Sequence, residues 1–190
     1  GSAVMGSLVV TDRRTSGTQI DDETIELRGA SQVREALGDR VHVNVTSYNR
    51  QVLLTGEVKD SNVKTEAGDY VKAMKNARSV FNELMIGPNS SYTARANDAY
   101  LESKIKTQMI FTEKLPSNSM SIIAEGSSIY LMGILTQSEA DLAKKRWSNY
   151  TWVNVTNGVN HDTHTWLLSR QTRKHLVVTM GSRFYKDIAL

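Results

Sequence analysis

Tyr100, Lys104, Thr107 and Phe111 recur at i, i+4, i+7 and i+11. At 100° per residue this confines them to an arc of about 60° on a helix. Two aromatic rings flanking a cation suit a membrane interface: the rings sit at headgroup depth and the lysine reaches phosphate oxygens. Lys104, Lys106 and Lys114 are balanced by Asp98, Glu102 and Glu113 along the same stretch. Each basic residue near an anionic surface contributes only about 1 kcal/mol, so this helix alone would bind weakly. Lys144-Lys145-Arg146 reads as a solvated helix face.

Other chemistries find little support. The chain has no cysteine, which excludes disulfides, thiol nucleophiles and thiolate metal sites. His161 and His164 have the spacing of a ligand pair but no third ligand nearby, and His42 alternates outward on a strand with no nucleophile to serve. No glycine-rich phosphate loop is present. The reading is therefore no catalytic residue, no metal site, no cofactor and no enzymatic activity.

The helix that must position the aromatic flank is read as capped by Asp98, with Leu101, Ile105 and Met109 as its core side. It packs on an element that occurs twice. Val52-Leu53-Leu54-Thr55-Gly56 returns as Ile129-Tyr130-Leu131-Met132-Gly133, with the two glycines 77 residues apart. Each apolar run predicts a strand, and each closing glycine a bulge or a close approach of another backbone. Upstream, Val41, Val43 and Val45 alternate with polar residues, as do Met120 and Ile122, so each copy is a hairpin. Val43 to Met120 and Val45 to Ile122 keep the 77-residue offset, which marks a duplicated unit.

The remaining elements follow the same order in each copy. A first helix is predicted from Asp21 or Asp22, burying Ile25, Val33 and Leu37 with Gly29 as its weak point. Thr65 to Lys75 reads as the second helix, after a polar link at Asp60-Ser61-Asn62, and Val80 to Leu84 as the closing strand. In the second copy Ser138 to Asn149 is the corresponding helix, with Ala140, Ala143 and Trp147 on one face, and Val153 and Val155 mark the closing strand. The predicted fold is α+β: two tandem αββαβ units, each a three-stranded mixed sheet with two helices packed on one face. The predicted boundaries are an extended leader over 1–20, unit one over 21–87, a linker over 88–96, unit two over 97–160 and a basic extension over 161–190. Thr165 to Leu176 looks helical within that extension.

The formal net charge of the 190 residues is +3. Arg170, Arg173, Lys174, Arg183 and Lys186, against Asp162 and Asp187, account for all of it. The two units are thus neutral together and lack the charge of nucleic-acid binders.

In this order of elements the chain resembles the dual-BON-domain lipoproteins of the Gram-negative outer membrane, over roughly 12–160. The resemblance is carried by Asp12-Arg13-Arg14-Thr15-Ser16-Gly17, Ile25-Glu26-Leu27-Arg28, Asn44-Val45-Thr46-Ser47-Tyr48, the two glycine-closed strands, Val80-Phe81-Asn82-Glu83-Leu84 and Asn97-Asp98-Ala99-Tyr100. It departs from the family where a glycine precedes the last strand, since Asn76 and Thr151 stand near those places, and at Arg146 and Trp147.

The resemblance implies a non-enzymatic periplasmic protein, held on the inner leaflet of the outer membrane by an N-terminal lipid anchor that this sequence lacks. It implies support of envelope integrity and recognition of anionic phospholipid, phosphatidylglycerol or cardiolipin, by the first helix of the second unit. Carried onto this sequence, the phospholipid-binding set is Tyr100, Leu101, Lys104, Thr107, Gln108 and Phe111. The first unit offers Thr24, Arg28, Ser31 and Glu35 instead, with no aromatic. The alternative is a protein-interaction module whose third strand or tail binds another envelope protein.

Overall fold

The computed structural model describes residues 12–126 and 128–147, and beyond them the backbone of four strands. Helix α1 (Ser16–Leu37) begins at a Thr15 cap, whose side chain accepts from the Thr18 amide. It therefore starts earlier than predicted, and residues 16–20 are helical rather than extended. Ile25, Gly29, Val33 and Leu37, four apart, form its buried stripe.

Strands β1 (Val41–Tyr48) and β2 (Gln51–Val58) form an antiparallel hairpin. Asn49 and Arg50 close it with φ of 53° and 63°, the left-handed pair of a two-residue type I′ turn. Asp22, expected as a helix cap, serves that turn instead. It is buried and accepts from the amides of Asn49 (2.8 Å) and Arg50 (2.7 Å), from Ser47 Oγ (2.7 Å) and from Arg14 Nη1 (3.0 Å).

Helix α2 (Ser61–Lys72) is capped by Asp60, which accepts from the Val63 amide at 2.9 Å, so the supposed polar link is its first turn. β3 (Ser79–Asn82) and β4 (Met85–Ile86) both run parallel to β2. They are one closing strand interrupted where Leu84 turns into the core.

The second half repeats the order with α3 (Tyr92–Ile110), β5 (Met120–Glu125), β6 (Ser128–Leu135) and α4 (Gln137–Arg146). Ser91, not Asp98, caps α3 by accepting from the Ala94 amide, and Asp98 accepts from the Gly126 amide at 3.0 Å. α4 opens with a capping box between Thr136 and Glu139. Val43 opposes Gly56 and Met120 opposes Gly133, so the 77-residue offset holds in the register. Both glycines meet a backbone: a Cβ at Gly56 would lie 2.0 Å from His42 O, and one at Gly133 2.8 Å from Ser119 O. Gly56 also has φ of 115°, which other residues avoid.

The end of the chain departs from the expected closing strand. β7 (Val153–Asn160) does not pair with β6. β8 (Thr163–Ser169) takes that place, antiparallel to both β6 and β7. β9 (Val178–Met180) lies parallel to β7 and pairs with β10 (Arg183–Phe184), giving a six-stranded sheet rather than three strands. The stretch from Thr165, predicted helical, is strand through Ser169. A connection of two residues lets β7 and β8 pair locally as a hairpin, and Thr163, Thr165 and Trp166 favour strand. His161, Trp152 and most of the tail lie outside the described residues.

Each sheet carries its helices on one face. Ile25, Val33, Val52, Leu54, Val63 and Val71 form one core; Ile105, Met109, Ile122, Leu131, Ala143 and Trp147 form another. The opposite faces meet each other through Tyr48, Leu53, Tyr130 and Met132. This explains why Val52 to Leu54 and Ile129 to Met132 are continuous apolar runs: strands covered on both faces lose the alternation of half-buried ones.

The residues just before α1 strap the halves together. Arg13 makes a two-pronged ion pair with Glu139 (2.6 and 2.8 Å) and donates to Ile134 O. Arg14 pairs with Asp12 and Asp22 and lies over the Tyr48 ring. Burial by itself would raise the Glu139 carboxyl, but the bonds from Arg13 and the Thr136 amide hold it below its usual range.

Candidate membrane-facing site

The flank proposed from spacing lies on α3. The helix has to present it outward because Ile105 and Met109 are buried in the second core, with Leu101 packed partly against it. On the other side Tyr100 is 68% exposed and Phe111, immediately after the helix, 81% exposed. Lys104 and Thr107 lie exposed between them. The Thr107 hydroxyl donates to Ser103 O (2.9 Å), which leaves its methyl group as the outward contribution.

The six residues named from sequence thus separate into two roles. Tyr100, Lys104, Thr107 and Phe111 share an open surface. Leu101 is half-buried, and Gln108 Oε1 accepts from the Trp147 indole N–H at 3.1 Å. Those two hold the helix in place. The Gln108 bond also satisfies the side-chain N–H of a buried tryptophan, which ties the end of α4 to the last turn of α3.

Two residues belong with the flank that sequence reasoning missed. Ile110 is 63% exposed and Tyr92 87% exposed. Both lie about 80° from Tyr100 around the helix at 100° per residue. They broaden the apolar surface on the side away from Gln108. Their signal in the sequence was two large apolar residues off the core stripe, at the two ends of the helix. Lys106 and Lys114 are exposed at the same end as Ile110 and Phe111, so the apolar tip is bordered by cations.

The corresponding surface of α1 is different in kind. Thr24 donates back to Ile20 O, and Ser31 Oγ donates to Glu35 Oε1 at 2.9 Å. Ile20 and Leu27 are exposed there, but no aromatic is. Among the described residues, no helix is long and apolar enough to cross a membrane.

Comparison with known proteins gives a consistent picture. Residues 21–88 match the BON domain family. The chain is 34% identical over 145 residues to the outer membrane lipoprotein DolP of Haemophilus influenzae, covering 75% of each chain. It is 26% identical over 145 residues to a 21 kDa hemolysin of Actinobacillus pleuropneumoniae, again over 75% of each.

Proposed function

The chain belongs to the DolP-like family of BON-domain proteins, and on that premise we propose that it is a non-enzymatic, outer-membrane-associated protein that binds anionic phospholipid through α3. The observation that carries the reading is the exposure of Tyr100 and Phe111 on either side of Lys104, on a helix whose other side is fixed in a core. A soluble protein leaves single apolar residues exposed, but a run of large ones rimmed by lysines marks an interaction surface.

In this reading α3 belongs to a second BON unit. The repeated α-β-β-α order and the corresponding backbone contacts of Gly56 and Gly133 in the two halves support it. The protein sits in the periplasm against the inner leaflet of the outer membrane and helps to keep the envelope intact. An N-terminal lipid anchor would supply high local concentration, which raises the occupancy of a weak second contact. The anionic preference follows from Lys104, Lys106 and Lys114, each worth about 1 kcal/mol against a charged surface.

Flotation with phosphatidylglycerol or cardiolipin vesicles, against phosphatidylcholine, tests this. Tyr100→Ala with Phe111→Ala should remove the binding while leaving circular dichroism unchanged. A folded double variant that floats as well as the parent would refute the assignment. It would shift the weight to a protein partner on the exposed sheet edge around Met85 and Ile86.

A further inference from the structure

Between the two sheets, away from the apolar contact, polar residues from both halves converge. His42 and Glu57 are direct neighbours across β1 and β2, with His42 Nδ1 2.9 Å from Glu57 Oε2. Glu125, at the end of β5, joins them from the other half, and its Oε2 accepts from Asn44 Nδ2 at 2.6 Å. One ligand atom of each of His42, Glu57 and Glu125 lies within 4.8 Å of the other two. Glu57 and Glu125 are only 5% and 6% exposed.

Two buried carboxylates facing each other across a joint repel, and burial amplifies the cost, so the arrangement calls for a cation. Thr55 adds an independent sign. It opposes Asn44 in the register and precedes Glu57 by two on the same face of β2. Its hydroxyl is buried and has no hydrogen-bond partner among the described residues.

We infer that His42, Glu57 and Glu125 form a binding site for a divalent transition-metal cation, zinc in the first instance, that bridges the two halves of the chain. An imidazole with two carboxylates suits zinc and its neighbours rather than calcium or magnesium, which favour all-oxygen sets. Zinc binds such ligands at about 2.0–2.1 Å in a tetrahedron. That sets ligand atoms about 3.4 Å apart, a distance the carboxylates reach by side-chain rotation. Water, or the Thr55 hydroxyl acting through it, completes the fourth position. Asn44 is the supporting partner that orients Glu125. Gly56 makes the close pairing possible, since a side chain there would strike the His42 carbonyl.

Arg95 competes with the metal. Its Nη1 lies 3.4 Å from His42 Nε2, which in that contact is the acceptor, leaving the ring proton on Nδ1 toward Glu57. Metal on Nδ1 moves the ring proton to Nε2 and displaces Arg95. The guanidinium is only half-buried, rests on the exposed Tyr92 ring at 5.0 Å and has a buried Nε with no partner among the described residues, so its release is cheap. The same contact gives the site a distinguishing signature.

Zinc titration of the full chain at neutral pH, by competition with a chromophoric chelator, reads the affinity directly. One zinc ion per chain is expected, with a rise in Tm because the folded state alone assembles the site. His42→Gln and Glu125→Gln should each weaken binding by at least about 10-fold, and Asn44→Ala by roughly the same. Arg95→Ala should bind more tightly than the parent. His161→Ala with His164→Ala should leave the affinity unchanged. Near-UV circular dichroism confirms folding of each variant, and Glu57→Gln replaces Glu125→Gln if the latter does not fold. No binding by the parent would overturn the inference. So would full affinity in folded His42→Gln and Glu125→Gln, or a loss confined to the His161 and His164 variant.

Discussion

Asp22 is the residue whose removal should cost the first half most. It is 2% exposed and accepts four hydrogen bonds, from two turn amides, the Ser47 hydroxyl and the Arg14 guanidinium. Asp22→Ala leaves the Asn49 and Arg50 amides facing a methyl group. Each orphaned buried donor costs about 1–3 kcal/mol, and bonds to a charged acceptor lie toward the upper part of that range. The turn itself depends on them, because Asn49 and Arg50 sit at positive φ without being glycine. Solvent reaches part of Arg50 and Arg14, which lets water recover some of the loss. The net cost should be about 3–5 kcal/mol, a large part of the roughly 5–15 kcal/mol that holds a domain folded. Urea unfolding followed by far-UV circular dichroism reads this as a lower midpoint at unchanged slope. Asp22→Asn keeps one carbonyl acceptor and should lose less. A loss below about 1 kcal/mol for Asp22→Ala would show that the turn holds itself and that the Asp22 bonds are incidental.

Two further outcomes follow from the same geometry. Gly56→Ala forces an L side chain to φ of 115° and sets its Cβ 2.0 Å from His42 O. It should destabilise by about 3 kcal/mol or more, read as a fall in urea midpoint. Glu139 has its folded pKa depressed below 4.5 by Arg13 and the Thr136 amide, which outweigh burial. Its stabilising contribution is complete above the unfolded value and is lost as pH falls through the lower folded value. The stability gap between the parent and Glu139→Gln should therefore be flat above about pH 4.5 and close below it. Urea midpoints measured down the pH scale check the direction.

The sequence was most legible where local pattern and tertiary demand coincide. Gly56 and Gly133 mark a close backbone approach in both halves, and Ile25, Val33 and Leu37, like Ile105 and Met109, are buried at the spacing that predicts them. Helix starts were less legible. Asp22 and Asp98 are good caps by type, yet both serve amides distant in sequence, while Thr15 and Ser91 do the capping. An aspartate's choice among available amides is settled by packing, which no local window contains.

The polar face of β1 is a related case. His42 and Asn44 alternate with valines as a solvent-facing set does, and Asn44 is exposed, yet His42 is half-buried and Asn44 reaches across to Glu125 of the other half. Convergence of His42, Glu57 and Glu125 needs the two halves in contact, and pairwise spacing along the chain carries no trace of it. The exchange of β7 for β8 beside β6 was equally hidden, since the segment from Thr165 has a helical pattern in isolation and becomes strand through its pairing with β6 and β7.

The most direct test of the membrane reading uses the absence of cysteine from the chain. Thr107→Cys and Ser31→Cys place one environment-sensitive fluorophore at equivalent exposed positions of α3 and α1. Phosphatidylglycerol vesicles should shift the emission of the Thr107→Cys label to the blue and protect it from an aqueous quencher, leaving the Ser31→Cys label unchanged. With Tyr100→Ala and Phe111→Ala added, partitioning should weaken by about 2 kcal/mol, roughly 30-fold. A shift at Ser31→Cys with none at Thr107→Cys would contradict the account, because the membrane would then be met by the other half of the chain.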